Sequence, residues 1–184
     1  MEQCFNSMNA QKNFVIILAL IVQGTCLNAV ADEWGNATNG VQALLVLRDD
    51  KSRIGTNDSI VVSLKVKNTL TNETFCFYFW GSPEASFSYS IISPSGIPVP
   101  RNESFVPVGF GTGPRWIASN QTTEYEINLS KLYKFNEIGT YKIIGKIKME
   151  SKSTMLAHGE QTFDESKAFE VISNPLSVTT VAIK

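Results

Sequence analysis

The segment Ile127–Lys148, which reads INLSKLYKFNEIGTYKIIGKIK, constrains the fold of this 184-residue chain most strongly. From Tyr141 to Met149 an apolar residue or glycine stands at every second position, and lysines fill three of the four positions between them. A period of two places these apolar residues on one face of a β-strand. The residues before Tyr141 predict an incoming strand and a short helical corner. The segment therefore predicts a long, half-buried strand that follows a tight corner.

The rest of the chain repeats this pattern in shorter pieces. Ser59–Lys67 alternates in the same way, and Phe75–Trp80 is apolar throughout, as expected of a central strand covered on both faces. Further strands are predicted at Val41–Arg48, at Ser86–Ser93 and Ile97–Val99 as a hairpin, at Thr123–Leu129, at Ala168–Ile172 and at Leu176–Ile183. The predicted connections are a charged turn at Asp49–Asp58, an irregular region at Arg101–Gln121 and a polar excursion at Ser151–Ser166. Seven or eight strands without an amphipathic helix predict an all-β, antiparallel sandwich.

The N-terminus has the features of a secretory signal peptide. Phe14–Val22 is an uninterrupted apolar run, and Ala29–Ala31 follows with the small residues that a signal peptidase accepts. Nine residues of helix rise about 14 Å, roughly half of a bilayer, so a transmembrane anchor is the weaker interpretation. We therefore expect a signal peptide at residues 1–31 and a single secreted domain at residues 32–184, extracellular or periplasmic, without membrane insertion after cleavage.

Two details of this signal stay open. Met8 would give a shorter and more conventional start than Met1. Cys26 could be acylated in a lipoprotein, but Gln23 and Thr25 are a poor context for that modification.

Cysteine content argues against a disulfide-stabilised domain, and net charge argues against a nucleic-acid-binding protein. Of Cys4, Cys26 and Cys76, only Cys76 would remain after signal cleavage, so an intrachain disulfide is not expected. Cys76 lies in an apolar run and is predicted to be a small buried hydrophobe. The net charge is −1, which gives no indication of a nucleic-acid partner.

Six N-x-S/T sequons occur after the signal, which is more than composition alone predicts. They begin at Asn36, Asn57, Asn72, Asn102, Asn120 and Asn128. They are compatible with a bacterial protein rich in Asn, Ser and Thr at turns, or with a glycosylated eukaryotic secreted protein, and the sequence leaves both open.

The run Asn136–Ile143, NEIGTYKI, fits the tyrosine corner of Greek-key sandwiches. In that motif a tyrosine near the start of a strand turns its hydroxyl back onto the preceding corner, and Tyr141 would be that residue. Gly139 would let the chain pack tightly there. Ile143 stands where an antibody-type domain has its second cysteine, so the chain departs from that class.

The longer string NLSKLYKFNEIGTYKI resembles secreted immunoglobulin-like or fibronectin-type-III-like β-sandwich modules. Some of these are the non-catalytic β-domains attached to deuterolysin-type metalloproteases, and others are stand-alone secreted bacterial proteins. The strings WGNATNGVQ and SNPLSVTTV agree with the resemblance, which covers most of Trp34–Val181. It implies secretion and a Greek-key, immunoglobulin-like fold, and a fold does not determine function.

Catalytic constellations are missing from the sequence. His158 is the single histidine, so neither the HExxH motif of zinc proteases nor a metal site with several histidines is present. No GxSxG motif accompanies His158, which argues against a serine triad. The carboxylate pairs Asp49-Asp50 and Asp164-Glu165 lie in charged turns and are predicted to be solvated. We therefore expect no enzyme activity, no metal and no cofactor.

The candidate binding surface is the irregular region, with Phe105, Phe110, Arg115 and Trp116. Aromatic residues with an arginine are typical of interaction hot spots and of sugar-stacking platforms. The alternative is that these residues cap the open end of the core.

The expected function is a secreted, non-enzymatic binding module with a protein or glycan partner. Two alternatives remain at this point. One is a proteinase inhibitor whose exposed loop, within Arg101–Trp116, blocks a protease cleft. The other is a carbohydrate-binding module that uses Trp116.

Overall fold

The computed structural model describes residues 33–49, 53–56, 58–106, 111–152 and 163–182. Nearly all regular structure in these residues is β-strand, so the protein is all-β, as predicted. The first five strands are β1 (Val41–Leu47), β2 (Ile54–Gly55), β3 (Val61–Asn68), β4 (Phe75–Trp80) and β5 (Ser88–Ile92). The other five are β6 (Thr112–Ile117), β7 (Thr122–Asn128), β8 (Gly139–Ser151), β9 (Phe169–Ile172) and β10 (Leu176–Val181). Two short helical turns are also present, α1 at Pro83–Ser86 and a 3-10 helix at Leu129–Lys131.

Strand β8 organises the larger of two sheets. It pairs with β9 and β10 on one side and with β5 on the other, and its last residues pair with β4. The predicted alternation is confirmed, because Tyr141, Ile143, Ile147 and Met149 are all buried. The larger sheet has the order β2-β10-β8-β4-β6, with β5 and β9 also paired to β8.

The smaller sheet consists of β1, β3 and β7, with β3 in the middle. Leu64 of β3 stands opposite Leu45 on one side and Tyr125 on the other. The predicted inward residues of β3 are confirmed as buried: Ile60, Val62, Leu64 and Val66. Side chains from both sheets form one hydrophobic cluster, so a shared core holds the two sheets together.

Strands β9 and β10 lie in line along β8 and are separated by Ser173-Asn174-Pro175, as predicted. The Asn174 side chain bridges this interruption to β1. Its carbonyl oxygen accepts from the Leu45 N–H at 2.7 Å, and its amide donates to the Leu45 carbonyl at 3.2 Å. One side chain therefore satisfies both backbone groups of a fully buried residue at the edge of β1.

The corner before β8 has the predicted form. The 3-10 helix begins after Asn128, whose side chain accepts a hydrogen bond from the Ser130 N–H. The buried hydroxyl of Tyr141 turns back to the corner and accepts from the Glu137 N–H. Gly139 has a φ of +134°, and a Cβ there would lie 2.8 Å from the Pro94 Cβ. Only glycine fits this conformation without moving Pro94.

Several predictions of local structure are wrong. The sheets are not wholly antiparallel, because β2, within the predicted charged turn, pairs in parallel with β10. The described residues contain ten strands rather than seven or eight. β2 has only two residues and β6 contains Gly113 and Pro114, so neither shows an alternation. The hairpin after β5 is confirmed only as a turn at residues 94–96 with one bridge, Ile92 to Pro98. The polar excursion falls largely on residues 153–162, outside the described residues.

Candidate binding surface

Strand β4 divides its six side chains between two environments. Phe75 and Phe77 are buried in the core and Phe79 packs against it. Because side chains alternate along a strand, Cys76, Tyr78 and Trp80 lie on the opposite face. Trp80 is 51% exposed, so the prediction that Phe75–Trp80 is covered on both faces is wrong at its C-terminal end.

Strand β6 adds a second tryptophan to this outer face. Trp116 stands directly opposite Cys76 in the antiparallel pair, and opposed residues project from the same face of a sheet. Trp116 is 46% exposed. Tyr78 lies diagonally between the two tryptophans, and its ring centre is 4.5 Å from that of Trp80 at an interplanar angle of 53°. Phe163 also contacts Tyr78, with ring centres 6.4 Å apart.

We call Tyr78, Trp80, Trp116 and Phe163 the aromatic face. Monomeric proteins seldom leave large aromatic side chains together on an open surface, and such patches usually mark interaction sites. Trp and Tyr are also the residues most enriched at binding hot spots. The aromatic face is therefore the strongest candidate for function among the described residues.

Of the four residues predicted from the sequence, the three within the described residues do not form one surface. Arg115 and Trp116 are neighbours in β6 and project from opposite faces. Arg115 lies 5.1 Å above the ring of Phe79 and donates to the Gly111 carbonyl at 3.2 Å. Phe105 packs against the core, which agrees with the core-capping alternative for that residue. Phe110 lies outside the described residues.

Sequence reasoning missed Tyr78 and Trp80. Both belong to the run FCFYFW, whose uninterrupted apolar residues predict a strand covered on both faces. The one available signal was the position of Trp80, immediately before the break at Gly81-Ser82-Pro83. A strand end beside a turn is more open to solvent than a strand centre.

Cys76 lies beneath the aromatic face and is fully buried, as predicted. Burial raises the pKa of its thiol to about 12, and the nearby Glu150 carboxylate adds to this effect. Such a thiol is protonated at neutral pH and is a poor nucleophile. Glu150 itself is 1% exposed and accepts a hydrogen bond of 3.0 Å from the Asp164 N–H. This bond fixes the chain next to Phe163.

A second concave region lies beside the tyrosine corner. It is a groove of about 510 Å³ between residues 97–103 and residues 134–137, with Tyr141 among its lining residues. Its walls carry Arg101 and Lys134 together with Glu103 and Glu137. The groove therefore carries charges of both signs.

The predicted catalytic and metal features lie partly outside the described residues. His158 lies outside the described residues. Within the described ranges, no group of three or more His, Cys, Asp or Glu side chains could hold a metal ion. No helix in the part of the chain that the structure describes has the length and hydropathy to cross a membrane.

The sequons differ in accessibility. Those exposed to solvent are Asn36, Asn72, Asn102 and Asn120. Asn128 is half-buried and caps the 3-10 helix, and Asn57 lies outside the described residues. Four of the sequons are thus open to a glycosyltransferase, and none of their asparagines belongs to the aromatic face.

Comparison with known proteins adds little to this description. No protein-family model matches the chain. No curated protein matches it either. A solved structure, the X-ray structure of Northeast Structural Genomics Consortium target SoR45, is similar at 13% sequence identity and a TM-score of 0.44. The alignment covers 79% of this chain and 90% of that one.

Proposed function

We propose that this protein is a secreted, non-enzymatic binding module that contacts its partner through the aromatic face. The observation that carries the proposal is the exposure of Trp80 and Trp116 on one face of β4 and β6. Burying a large apolar side chain is worth about 1.5–3 kcal/mol, so a partner that covers both tryptophans gains substantial binding energy.

We further propose that the fold is a Greek-key β-sandwich of the immunoglobulin-like class. The bond from the Glu137 N–H to the Tyr141 hydroxyl has the form of a tyrosine corner and supports this proposal. The two sheets with a shared core also support it. The resemblance of NLSKLYKFNEIGTYKI to secreted sandwich modules points in the same direction.

Secretion is supported by the apolar run Phe14–Val22 and the small residues Ala29–Ala31. Expression in a host with a secretory pathway, followed by N-terminal sequencing of the exported protein, tests this point. The expected N-terminus is Asp32. Retention of the whole chain inside the cell would contradict it.

The binding proposal is tested with immobilised protein. Wild type, Trp80→Ala and Trp116→Ala are incubated with extracellular proteins and polysaccharides, and the retained material is quantified. Trp34→Ala is the control, because Trp34 lies beside Lys67 of β3, outside the aromatic face. The proposal requires a ligand that wild type and the control retain and the other two variants lose. Equal retention by all four proteins would reject it.

The proteinase-inhibitor alternative now depends on a shorter segment. It was based on an exposed loop within Arg101–Trp116, and Thr112–Trp116 belongs to β6 and pairs with β4. An inhibitory loop would have to lie before Thr112. Titration of the purified protein against a panel of proteases tests this alternative, and unchanged protease activity would remove it.

A further inference from the structure

We infer that the ligand of the aromatic face is a linear, uncharged glycan that lies along β4. The inference rests on the proposed function and adds the chemical class of the ligand. Three observations support it: the arrangement of the rings, the charges beside them and the structure of the sheet edge.

The rings form an elongated row rather than a pocket. Trp116 stands opposite Cys76, four residues along β4 from Trp80, which is about 14 Å of strand. Tyr78 lies between the two tryptophans, with its ring centre 4.5 Å from that of Trp80, and Phe163 also contacts Tyr78. A row of this kind matches an extended ligand with repeated units.

Sugar rings suit these side chains chemically. A pyranose ring has a flat apolar face of C–H groups and a rim of hydroxyls. Tyr and Trp likewise combine a flat apolar body with one polar tip, a hydroxyl or an indole N–H. Stacking places the two apolar faces together, while the tips remain able to bond the hydroxyls at the rim.

Two lysines next to the row are paired with carboxylates. Lys148 binds Glu165 at 2.8 Å, and Lys167 binds Asp164 at 3.1 Å. Both acidic partners directly follow Phe163 in the chain. Nucleic acids and acidic polysaccharides are bound by unpaired Lys and Arg side chains along a groove. Paired charges beside Phe163 instead favour a ligand without net charge.

The edge of the sheet does not suit an added peptide strand. Strand β6 ends the order of the larger sheet among the described residues. Pro114 has no backbone N–H, and Gly113 has a φ of +146°, outside the conformation of a regular strand. Proline at an edge strand blocks the ladder that an incoming peptide would need. The rings of the outer face are then the recognition element.

The test is calorimetric titration of the full secreted protein with cellohexaose, chitohexaose, xylohexaose and laminarihexaose. The matching disaccharides, heparin and oligo-dT are titrated in parallel. We expect at least one neutral hexasaccharide to bind, with its disaccharide at least about tenfold weaker, a difference of about 1.4 kcal/mol. Trp80→Ala and Trp116→Ala should each lower the affinity for the hexasaccharide at least about tenfold. Trp34→Ala should change this affinity by less than about twofold. Far-UV circular dichroism of each variant establishes that it is folded.

Binding of only heparin or oligo-dT would overturn the inference, as would glycan binding that survives both Trp80→Ala and Trp116→Ala. If none of the glycans binds, while an extracellular protein is retained by wild type and lost by the two variants, the glycan inference fails and the proposed function stands. If the aromatic face affects neither kind of ligand, both fail.

Discussion

The backbone N–H of Glu137 donates a 2.8 Å hydrogen bond to the hydroxyl of Tyr141, four residues further along the chain. The tyrosine ring is 1% exposed and packs edge-on against Phe135 with ring centres 5.0 Å apart. Burial raises the pKa of the Tyr141 hydroxyl, which therefore stays neutral. This bond ties the start of β8 to the corner before it.

Tyr141→Phe removes this bond and keeps the ring. We expect the free energy of unfolding to fall by about 1 kcal/mol, the net value of one hydrogen bond, with ligand binding unchanged. Urea denaturation measures the first quantity and the ligand titration the second. Loss of binding at unchanged stability would show that the corner, beside its 510 Å³ groove, is a functional site.

Tyr89 and Tyr133 offer a matched pair of hydroxyl deletions. The Tyr133 hydroxyl donates to the Tyr89 carbonyl at 3.2 Å. The Tyr89 hydroxyl is buried and has no hydrogen-bond partner among the described residues. Tyr133→Phe should lower the free energy of unfolding by about 1 kcal/mol, and Tyr89→Phe should leave it unchanged or raise it. A larger loss from Tyr89→Phe in urea denaturation would reveal a buried partner, such as an ordered water.

Asn174 joins the two sheets through the backbone of Leu45. Asn174→Ala leaves a buried N–H and a buried carbonyl without their partner, each at a cost of about 1–3 kcal/mol. We expect a clear fall in the midpoint of urea unfolding. Asn136→Ala, at an exposed position, is the control and should change the midpoint little. Equal midpoints for the two variants would mean that Asn174 does not hold β1.

Alanine substitutions at Gly139 and Gly113 distinguish the cost of backbone strain from the cost of a close contact. Their φ angles are +134° and +146°, so alanine is strained by a similar amount at both positions. Only at Gly139 would the new Cβ meet a neighbour, Pro94, whereas nothing lies within 4 Å at Gly113. Gly139→Ala should therefore lower the melting temperature more than Gly113→Ala does. The opposite order would show that Pro94 yields easily.

Asp164 should give the protein a pH-dependent contribution to stability. Hydrogen bonds from the Ser166 hydroxyl and N–H, with Lys167 nearby, lower the pKa of its carboxyl from 3.8 to about 2. Because the folded-state pKa is the lower one, the contribution is present above about pH 4 and is lost as the pH falls through about 2. Ser166→Ala should move the pKa back toward 3.8 in an NMR titration. An unchanged pKa would assign the shift to Lys167.

The strands with regular alternation could be predicted from the sequence, because burial on one face leaves a period of two. β3 and β8 were found with the correct inward residues for this reason. Tyr141 was found because the corner motif is local, with the hydroxyl and the Glu137 N–H only four residues apart. β2 and β6 were missed because two residues, or a strand with Gly113 and Pro114, show no period.

The candidate site required the tertiary structure. The sequence places Arg115 and Trp116 side by side, yet β6 turns them to opposite faces, toward Phe79 and toward the outer face. It leaves Tyr78 and Trp80 about 36 residues from Trp116, and only the register of β4 with β6 brings them together. Local periodicity thus determined the all-β class, and a local motif determined the corner. Strand pairing, a long-range property, decided which aromatic side chains share an exposed surface.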